Sequence, residues 1–243
     1  MAGDADLAAI GSLMSDRTRA TILLTLLNGG MTSASALAQR AAVSRPLASA
    51  HLRKLFEGGL IVVEPRGRHR YYRLSSQRVA DALESLILLS PASAINSLRG
   101  SKESIGLQRG RLCYDHLAGR LGVALTHQMM EAGLLRKSGG DYEVTDAGDG
   151  VFLELGIDIA SLRVQERPLS RACLDWSEKD HHLAGSLGAA LTNELFRLGW
   201  LEGREASRVV LVTAVGEQGL QRAFGLEPAS LELIGAGAAA AAA

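Results

Sequence analysis

Apolar residues recur three or four positions apart along the N-terminal third of the chain, which is the spacing of one helix face. The stretches 4–14 and 16–27 each predict a helix, a short third helix begins at Thr32 or Ser33 and runs to Arg40, and residues 75–90 predict another. The apolar positions that form these stripes are Leu7, Ile10, Met14, Ile22, Leu23, Leu26, Leu27, Val79, Leu83, Leu86 and Ile87.

Between these helices, residues 43–74 predict a helix that leads directly into a β-hairpin. Ser44 is a natural N-cap, and Pro46 fits the first turn, where its missing N–H has no helical partner to lose. Gly58 and Gly59 end the helix, and strands at 60–64 and 70–74 flank a turn at 65–69. This order of elements predicts a winged helix-turn-helix domain, so the predicted fold class is mainly α with small β-hairpins (α+β).

The second half of the chain repeats itself at a spacing of 66 residues. The segment HLAGRLGVALT, which starts at His116, recurs as HLAGSLGAALT from His182, with nine of eleven positions identical. We therefore predict a pseudo-twofold, winged-helix-like domain at 107–227, made of repeats at about 113–159 and 173–227. A first domain then covers 1–90, a Ser/Gly-rich linker covers 91–106, and a low-complexity tail covers 228–243.

Charge indicates a partner for the first domain. The chain of 243 residues has a formal net charge of zero, but residues 40–78 contain nine Lys or Arg against two acidic residues. The exposed arc of the predicted helix is small or cationic: Ser49 allows close approach, and Arg45 or Arg53 can donate to guanine edges or phosphates. Such a basic face attracts a polyanion, and double-stranded DNA is the predicted partner.

The N-terminal sequence resembles the ArsR family of bacterial and archaeal regulators over residues of about 5–90. The resemblance implies that domain 1–90 binds DNA and forms a homodimer through its first and last helices. It also implies a repressor that reads a palindromic operator until a signal releases it. The most specific pieces are Ser49-x-His51-Leu52, Gly59-Leu60 and Gly67-Arg68-x-x-Tyr71-Tyr72. The DNA-binding residues that the resemblance implies are Ser44, Arg45, Pro46, Ser49, Ala50, Arg53, Arg66, Arg68 and Arg70.

The chain departs from the family at its familiar metal sites. Members that sense soft metals carry cysteines at the start of the third helix, where this chain reads MTSASALAQ. Others place Asp and His on the last helix, which here contains Asp81 but no histidine. We therefore expect the signal to be received in the second half.

Cysteine, aspartate and histidine lie before each repeated helix, and three interpretations of them stay open. The cysteines could be small buried hydrophobes, with histidine and aspartate capping the helices. Cys113 and Cys173 could form a thiol-based redox sensor. A transition metal could bind thiolate, imidazole and carboxylate groups, and a small organic ligand between the repeats could accompany any of these. The candidate metal ligands are Cys113, Asp115, His116, Cys173, Asp175 and His182.

Motifs of common enzyme classes are missing from the sequence. It contains no Gly-rich phosphate loop, no GxSxG and no HExxH, so we predict no catalytic residues, no firm cofactor and no enzyme activity. A Cys/His-dependent enzyme or metalloenzyme in the C-terminal half, beside a vestigial winged helix, is the alternative function. A winged helix that binds protein instead of DNA is a third class.

Localisation follows from the same sequence features. No stretch reaches the roughly 18 uninterrupted apolar residues of a membrane span, and the N-terminus is acidic where a signal peptide would be basic. Two cysteines are too few for a secreted disulfide framework. We therefore expect a cytoplasmic protein without a membrane partner.

Overall fold

The structure is a computed structural model, and it describes residues 5–91, 98–204 and 206–227. The described residues form two compact units. The N-terminal unit holds 5–91 with 206–208, and the C-terminal unit holds 98–204 with 209–227. The predicted tail at 228–243 and residues 92–97 of the predicted linker lie outside the described residues.

Residues 98–106 of the predicted linker belong to a helix, α6, Leu98–Arg109, in the C-terminal unit. A Cβ on Gly106 would lie 3.0 Å from a methyl carbon of Val209, and the glycine therefore allows close packing of this helix. Gly106 contributed to the Ser/Gly-rich composition that predicted a linker, and in the fold it lies at a close contact between α6 and Val209.

The N-terminal unit is a winged helix-turn-helix, as the sequence predicts. Its strands form one antiparallel sheet in the order β1-β3-β2, in which β2 and β3 are the wing. The elements are α1 Leu7–Met14, α2 Arg17–Leu26, β1 Thr32–Ser33, α3 Ala34–Arg40, α4 Arg45–Glu57, β2 Ile61–Arg66, β3 His69–Leu74 and α5 Gln77–Leu89.

Local signals set the helix starts. Side-chain oxygens of Asp16, Ser33, Ser44 and Ser76 accept hydrogen bonds from early backbone N–H groups of α2, α3, α4 and α5. The strands differ from the prediction in two ways: β1 is additional, and the wing is longer. Arg66 pairs with His69, which leaves a two-residue turn in which Gly67 has a φ of 59°.

The C-terminal unit contains the same run of elements twice: hairpin, helix, hairpin, helix. The sequence predicted the helices and the strand-like segments after them but missed the hairpin before each repeated helix. The first run is β4 Arg111–Cys113, β5 His116–Ala118, α7 Gly119–Glu131, β6 Leu135–Ser138, β7 Asp141–Val144 and α8 Asp146–Glu154, followed by α9 Ile159–Arg163. The second is β8 Arg171–Leu174, β9 His181–Ala184, α10 Gly185–Arg197, β10 Leu201–Gly203, β11 Val210–Val212 and α11 Ala214–Phe224.

The two runs share one hydrophobic core, and each repeated helix packs against the other run's hairpin. The Thr126 hydroxyl in α7 accepts a hydrogen bond from the Leu183 N–H in β9 at 2.9 Å. Glycine also lets each repeated helix lie close to the hairpin of its own run, because a Cβ on Gly122 would lie 2.4 Å from the carbonyl oxygen of Leu117 in β5. A Cβ on Gly188 would lie 2.6 Å from the carbonyl oxygen of Leu183. In the part of the chain that the structure describes, no helix is long and apolar enough to cross a membrane.

Candidate nucleic-acid interface and Cys/His cluster

Helix α4 buries one face and exposes the other. Ala48, Leu52 and Leu55 are buried in the N-terminal unit. All six helix residues implied as DNA contacts are exposed: Ser44, Arg45, Pro46, Ser49, Ala50 and Arg53. Leu47 is also exposed, and sequence reasoning missed it, although an apolar side chain can contact a thymine methyl group.

The wing exposes Arg66, Arg68 and Arg70, but these arginines have different surroundings. The Nε of Arg66 donates to Glu64 at 2.9 Å, and this hydrogen bond raises the pKa of the arginine. Arg68 donates to the Nε2 of His69 at 3.3 Å instead. Since the carboxylate neutralises Arg66, the guanidinium of Arg68 is the better phosphate donor of the two.

An open cleft of about 460 Å³ lies between α3 and the start of α4. Polar groups dominate its lining, including the hydroxyls of Ser33, Ser35 and Ser44 and the side chains of Gln39 and Arg45. These groups are donors of the kind that hold a phosphate backbone.

In the C-terminal unit, the two hairpins that the sequence missed carry the candidate sensor residues. Cys113 lies directly opposite His116 across β4 and β5, and Cys173 lies directly opposite His182 across β8 and β9. Residues paired in this way place their side chains on the same face of a hairpin. Tyr114 has a φ of 62°, a left-handed conformation that closes the two-residue turn between Cys113 and His116.

The two hairpins bring four ligand-type atoms together: the Sγ atoms of Cys113 and Cys173 and one ring nitrogen each of His116 and His182. All four lie within 4.8 Å of one another. The sulfurs are 3.9 Å apart and are not joined in a disulfide. The Nε2 atoms of both histidines are buried and have no hydrogen-bond partner.

A carboxylate lies behind each histidine. Asp115 Oδ1 is 3.2 Å from the Nδ1 of His116, and Asp175 Oδ2 is 3.3 Å from the Nδ1 of His182. These aspartates are not among the four clustered ligand-type atoms. They are held by other groups instead, because Arg167 donates two hydrogen bonds to Asp115 and Arg111 donates to Asp175 at 2.9 Å.

Sequence reasoning missed Arg111, Arg167 and Trp176. Arg111 is fully buried, and its guanidinium carbon lies 4.3 Å from the centre of the Trp176 ring. The sequence offers one indication of this contact, a charged residue at the start of the short strand Arg111–Cys113. The partner, Asp175, lies 64 residues further along the chain.

These charges shift the pKa values of the cluster. Burial alone raises the pKa of Asp115, but His116 and Arg167 lower it to about 2. Burial likewise opposes ionisation of Asp175, yet His182 and Arg111 hold its pKa far below the usual range. The hydrogen bond from Cys113, together with His116 and His182, lowers the pKa of the Cys173 thiol despite its burial. The group is therefore suited to thiolate chemistry.

Two of the open interpretations can be compared with the geometry. The histidines do not cap the repeated helices, since the N-cap of α7 is Ala118 and that of α10 is Ala184. Asp175, however, accepts a hydrogen bond at 2.7 Å from the N–H of Gly119, the first residue of α7. The cavity lined by both repeated helices has a volume of about 10 Å³. That is about the limit for a single water, so this cavity does not accommodate the organic ligand considered from the sequence.

Comparison with known proteins gives a match that covers most of the chain and further matches that cover its N-terminal part. A helix-turn-helix domain family matches residues 14–64. The HTH-type transcriptional regulator YdfF of Bacillus subtilis (strain 168) is 42% identical over 212 residues, which cover 87% of this chain and 94% of that protein.

Solved structures match the N-terminal part. HlyU from Vibrio cholerae is 29% identical, covers 34% of this chain and 88% of its own, and has a TM-score of 0.32. The cadmium metal-sensor CMTR from Mycobacterium tuberculosis is 33% identical, covers 37% of this chain and 94% of its own, and also has a TM-score of 0.32.

Proposed function

Because this chain belongs to the family of helix-turn-helix-type transcriptional regulators, we propose that it represses transcription as a homodimer bound to a palindromic operator. One observation carries the proposal: an exposed, basic face of α4 lies beside a basic wing in the same sheet-and-helix unit. A twofold dimer presents two such faces to two half-sites about one DNA turn apart.

The residues proposed to contact DNA are those that the sequence implies. Some contact base edges and the others contact the phosphate backbone. Ser49, Ala50 and Arg53 on α4 read base edges in the major groove, and the cleft at Ser44 and Arg45 holds phosphates. Arg68 and Arg70 on the wing contact the backbone, while Arg66 contributes less because Glu64 neutralises it.

The proposed dimer interface is formed by α1 and α5. None of the residues of α1 is buried, although the helix reads LAAIGSLM, and Leu7 is 79% exposed. On α5, Leu86 and Leu89 are also exposed. A second copy that covers these side chains removes apolar surface from water.

The input is proposed to lie in the C-terminal unit, where a transition metal or a thiol redox change at Cys113 and Cys173 acts as the signal. Family membership favours a regulator over the Cys/His-dependent enzyme considered as the alternative. A regulator must reach chromosomal DNA in order to bind it, and we therefore expect this protein in the cytoplasm.

A titration with the protein's own promoter DNA tests the proposal. We expect binding by a dimer at low salt, with a loss of about 10³–10⁵ in affinity between roughly 50 and 200 mM salt if six to ten phosphates are contacted. Native mass of the complex gives the stoichiometry. A reporter fused to the promoter should rise when the gene is deleted. Absence of binding at low salt would contradict the proposal, and salt-independent binding would favour a protein-interaction module.

A further inference from the structure

We propose that Cys113, His116, Cys173 and His182 together bind one divalent, thiophilic cation of the Zn(II) class in a closed tetrahedral site. The proposal deepens the function proposed above by naming the chemistry of its input, and only the effect on DNA rests on that function. The site itself stands on the geometry of the two hairpins.

The distances fit this cation. Four ligands at about 2.3 Å for sulfur and about 2.0–2.1 Å for nitrogen place tetrahedral sulfurs about 3.8 Å apart and nitrogens about 3.3 Å apart. The two sulfurs already lie 3.9 Å apart, and no pair of the four atoms exceeds 4.8 Å. The remaining pairs must shorten from at most 4.8 Å to the spacing of a tetrahedral shell, about 3.3–3.8 Å.

The buried imidazole nitrogens provide an independent observation. The Nε2 atoms of His116 and His182 lack hydrogen-bond partners, and their ring centres are only 5.1 Å apart. A buried polar atom without a partner is costly, and a cation would satisfy both nitrogens at once. A disulfide between Cys113 and Cys173 would leave both nitrogens unsatisfied, which favours the metal over the redox interpretation.

The groups behind the histidines have the form of a metal site's outer shell. Metal-binding histidines usually present their second ring nitrogen to a carboxylate, which fixes the ring orientation. Asp115 forms this hydrogen bond with the Nδ1 of His116, while Asp175 lies 3.3 Å from the Nδ1 of His182 without a hydrogen bond of good geometry. Each aspartate is also paired with an arginine, Arg167 or Arg111.

Charge selects a divalent cation. Each aspartate is neutralised by its arginine, so two cysteine thiolates remain as the charge that a bound ion must balance. A divalent ion gives a neutral site, whereas a monovalent or trivalent ion would leave a net charge in a buried place. Soft thiolate and imidazole ligands in tetrahedral arrangement favour Zn(II) over Mg(II) or Ca(II).

The site is closed. Three of the four ligand residues are buried, and four protein ligands complete the tetrahedral shell without an open position for water or substrate. Because each hairpin contributes one cysteine and one histidine, the cation joins the two repeats and holds β4–β5 against β8–β9.

Metal content and cobalt spectroscopy of the purified full-length protein test the site. We expect about one zinc per chain by elemental analysis, since there is one four-ligand shell. Replacement by Co(II) should produce the intense visible bands of a tetrahedral ion and thiolate-to-cobalt charge transfer. His182→Gln and Cys173→Ser should lose most of the bound metal, whereas the neighbouring His181→Gln should keep it, because His181 pairs with Asp180 outside the cluster.

If these variants fold poorly, replacing one proposed ligand by another type of ligand still tests the site. His182→Cys creates a Cys3His set, so Co(II) should bind with a stronger charge-transfer band than in the unmodified protein. Metal-free wild-type protein that takes up neither Zn(II) nor Co(II) would overturn the proposal. So would binding that survives in the Cys113→Ser/Cys173→Ser double variant.

DNA binding is measured separately on the same samples, by anisotropy with promoter DNA, with and without chelator. Wild-type protein that binds promoter DNA but takes up no metal would overturn the metal site and leave the DNA-binding function intact. Protein that takes up metal but does not bind promoter DNA would overturn the proposed function and leave the metal site intact.

Discussion

Arg111 is fully buried, and the residues around it show how one side chain supports the cluster. Its guanidinium donates to Asp175, to the Leu107 carbonyl and to the Ser177 hydroxyl, and it lies over the Trp176 ring. Removal of the guanidinium would leave the Asp175 carboxylate buried without its cation. Such unpaired charges are among the most destabilising changes in a protein interior.

We therefore expect Arg111→Ala to lower the free energy of unfolding of the C-terminal unit by about 3–5 kcal/mol. Both tryptophans of the chain, Trp176 and Trp200, lie in this unit, so fluorescence during urea unfolding reports on it alone. Chelator in every sample separates this effect from metal binding. The matched control is Arg136→Ala, which breaks an exposed pair with Glu143 and should cost at most about 1 kcal/mol. Equal losses in the two variants would contradict the role given to Arg111.

The two exposed arginines on the DNA-facing surface should differ in what they contribute. Arg68→Ala removes a phosphate contact in each subunit, so the log–log salt slope should flatten by about one unit per contact, or about two for a dimer. Arg53→Ala should cost about 1–3 kcal/mol and relax preference at one base position. Anisotropy titrations with operator variants measure both effects. An unchanged salt slope for Arg68→Ala would exclude a phosphate contact there.

At the scale of elements, close helix–hairpin packing is the feature that positions the cluster. The glycines at 122 and 188 let α7 and α10 approach the carbonyls of Leu117 and Leu183. A side chain at either position would push a helix away from a hairpin that carries a cysteine and a histidine.

Gly122→Ala should therefore destabilise the C-terminal unit and weaken Co(II) binding, although alanine is the better helix former. Gly150→Ala in α8 is the control, because nothing lies within 4 Å of its Cβ position and the change should stabilise by about 0.5–1 kcal/mol. Tryptophan fluorescence and cobalt titration give the two readouts. Stabilisation by both substitutions would show that the close approach is not needed.

Elements were predictable from sequence where their causes are local. The Ser44 cap, Pro46 and the glycines at 58 and 59 are local signals, and α4 begins and ends beside them. The hairpins β4–β5 and β8–β9 escaped prediction because their strands are only three or four residues long. Their turns also contain Tyr114 or an insertion instead of a typical Asn-Gly pair.

Sequence also predicted part of the Cys/His cluster, because its residues recur in both repeats. The repeat in the sequence singled out Cys113, His116, Cys173 and His182, but it could not separate these proposed ligands from the aspartates beside them. That distinction depends on Arg111 and Arg167, which reach the aspartates from positions more than fifty residues away along the chain.

At the scale of the whole molecule, the proposed dimer makes affinity for DNA depend on protein–protein contact. Leu89→Glu places a charge on α5 at a side chain that is 83% exposed in the single chain. We expect it to shift the protein toward monomers in sedimentation. Operator binding should also weaken, because a monomer makes only one subunit's phosphate contacts.

Val164→Glu is the matched control for the dimer. Val164 is 86% exposed but follows α9 in the C-terminal unit, which contains neither of the proposed interface helices. It should leave both the mass and the DNA affinity unchanged. A dimer that persists in Leu89→Glu and dissociates in Val164→Glu would place the interface in the other unit.

The pairing of one cysteine with one histidine on each hairpin has an evolutionary consequence. A primitive chain with a single repeat would hold only half of a tetrahedral shell, but two such chains packed as the repeats pack would complete it. For the proposed cation, this arrangement is equivalent to a site shared between two identical subunits, here contained within one polypeptide. Loss of a cysteine from one repeat would then weaken the cation binding of both repeats, so selection on the site would act on the two together.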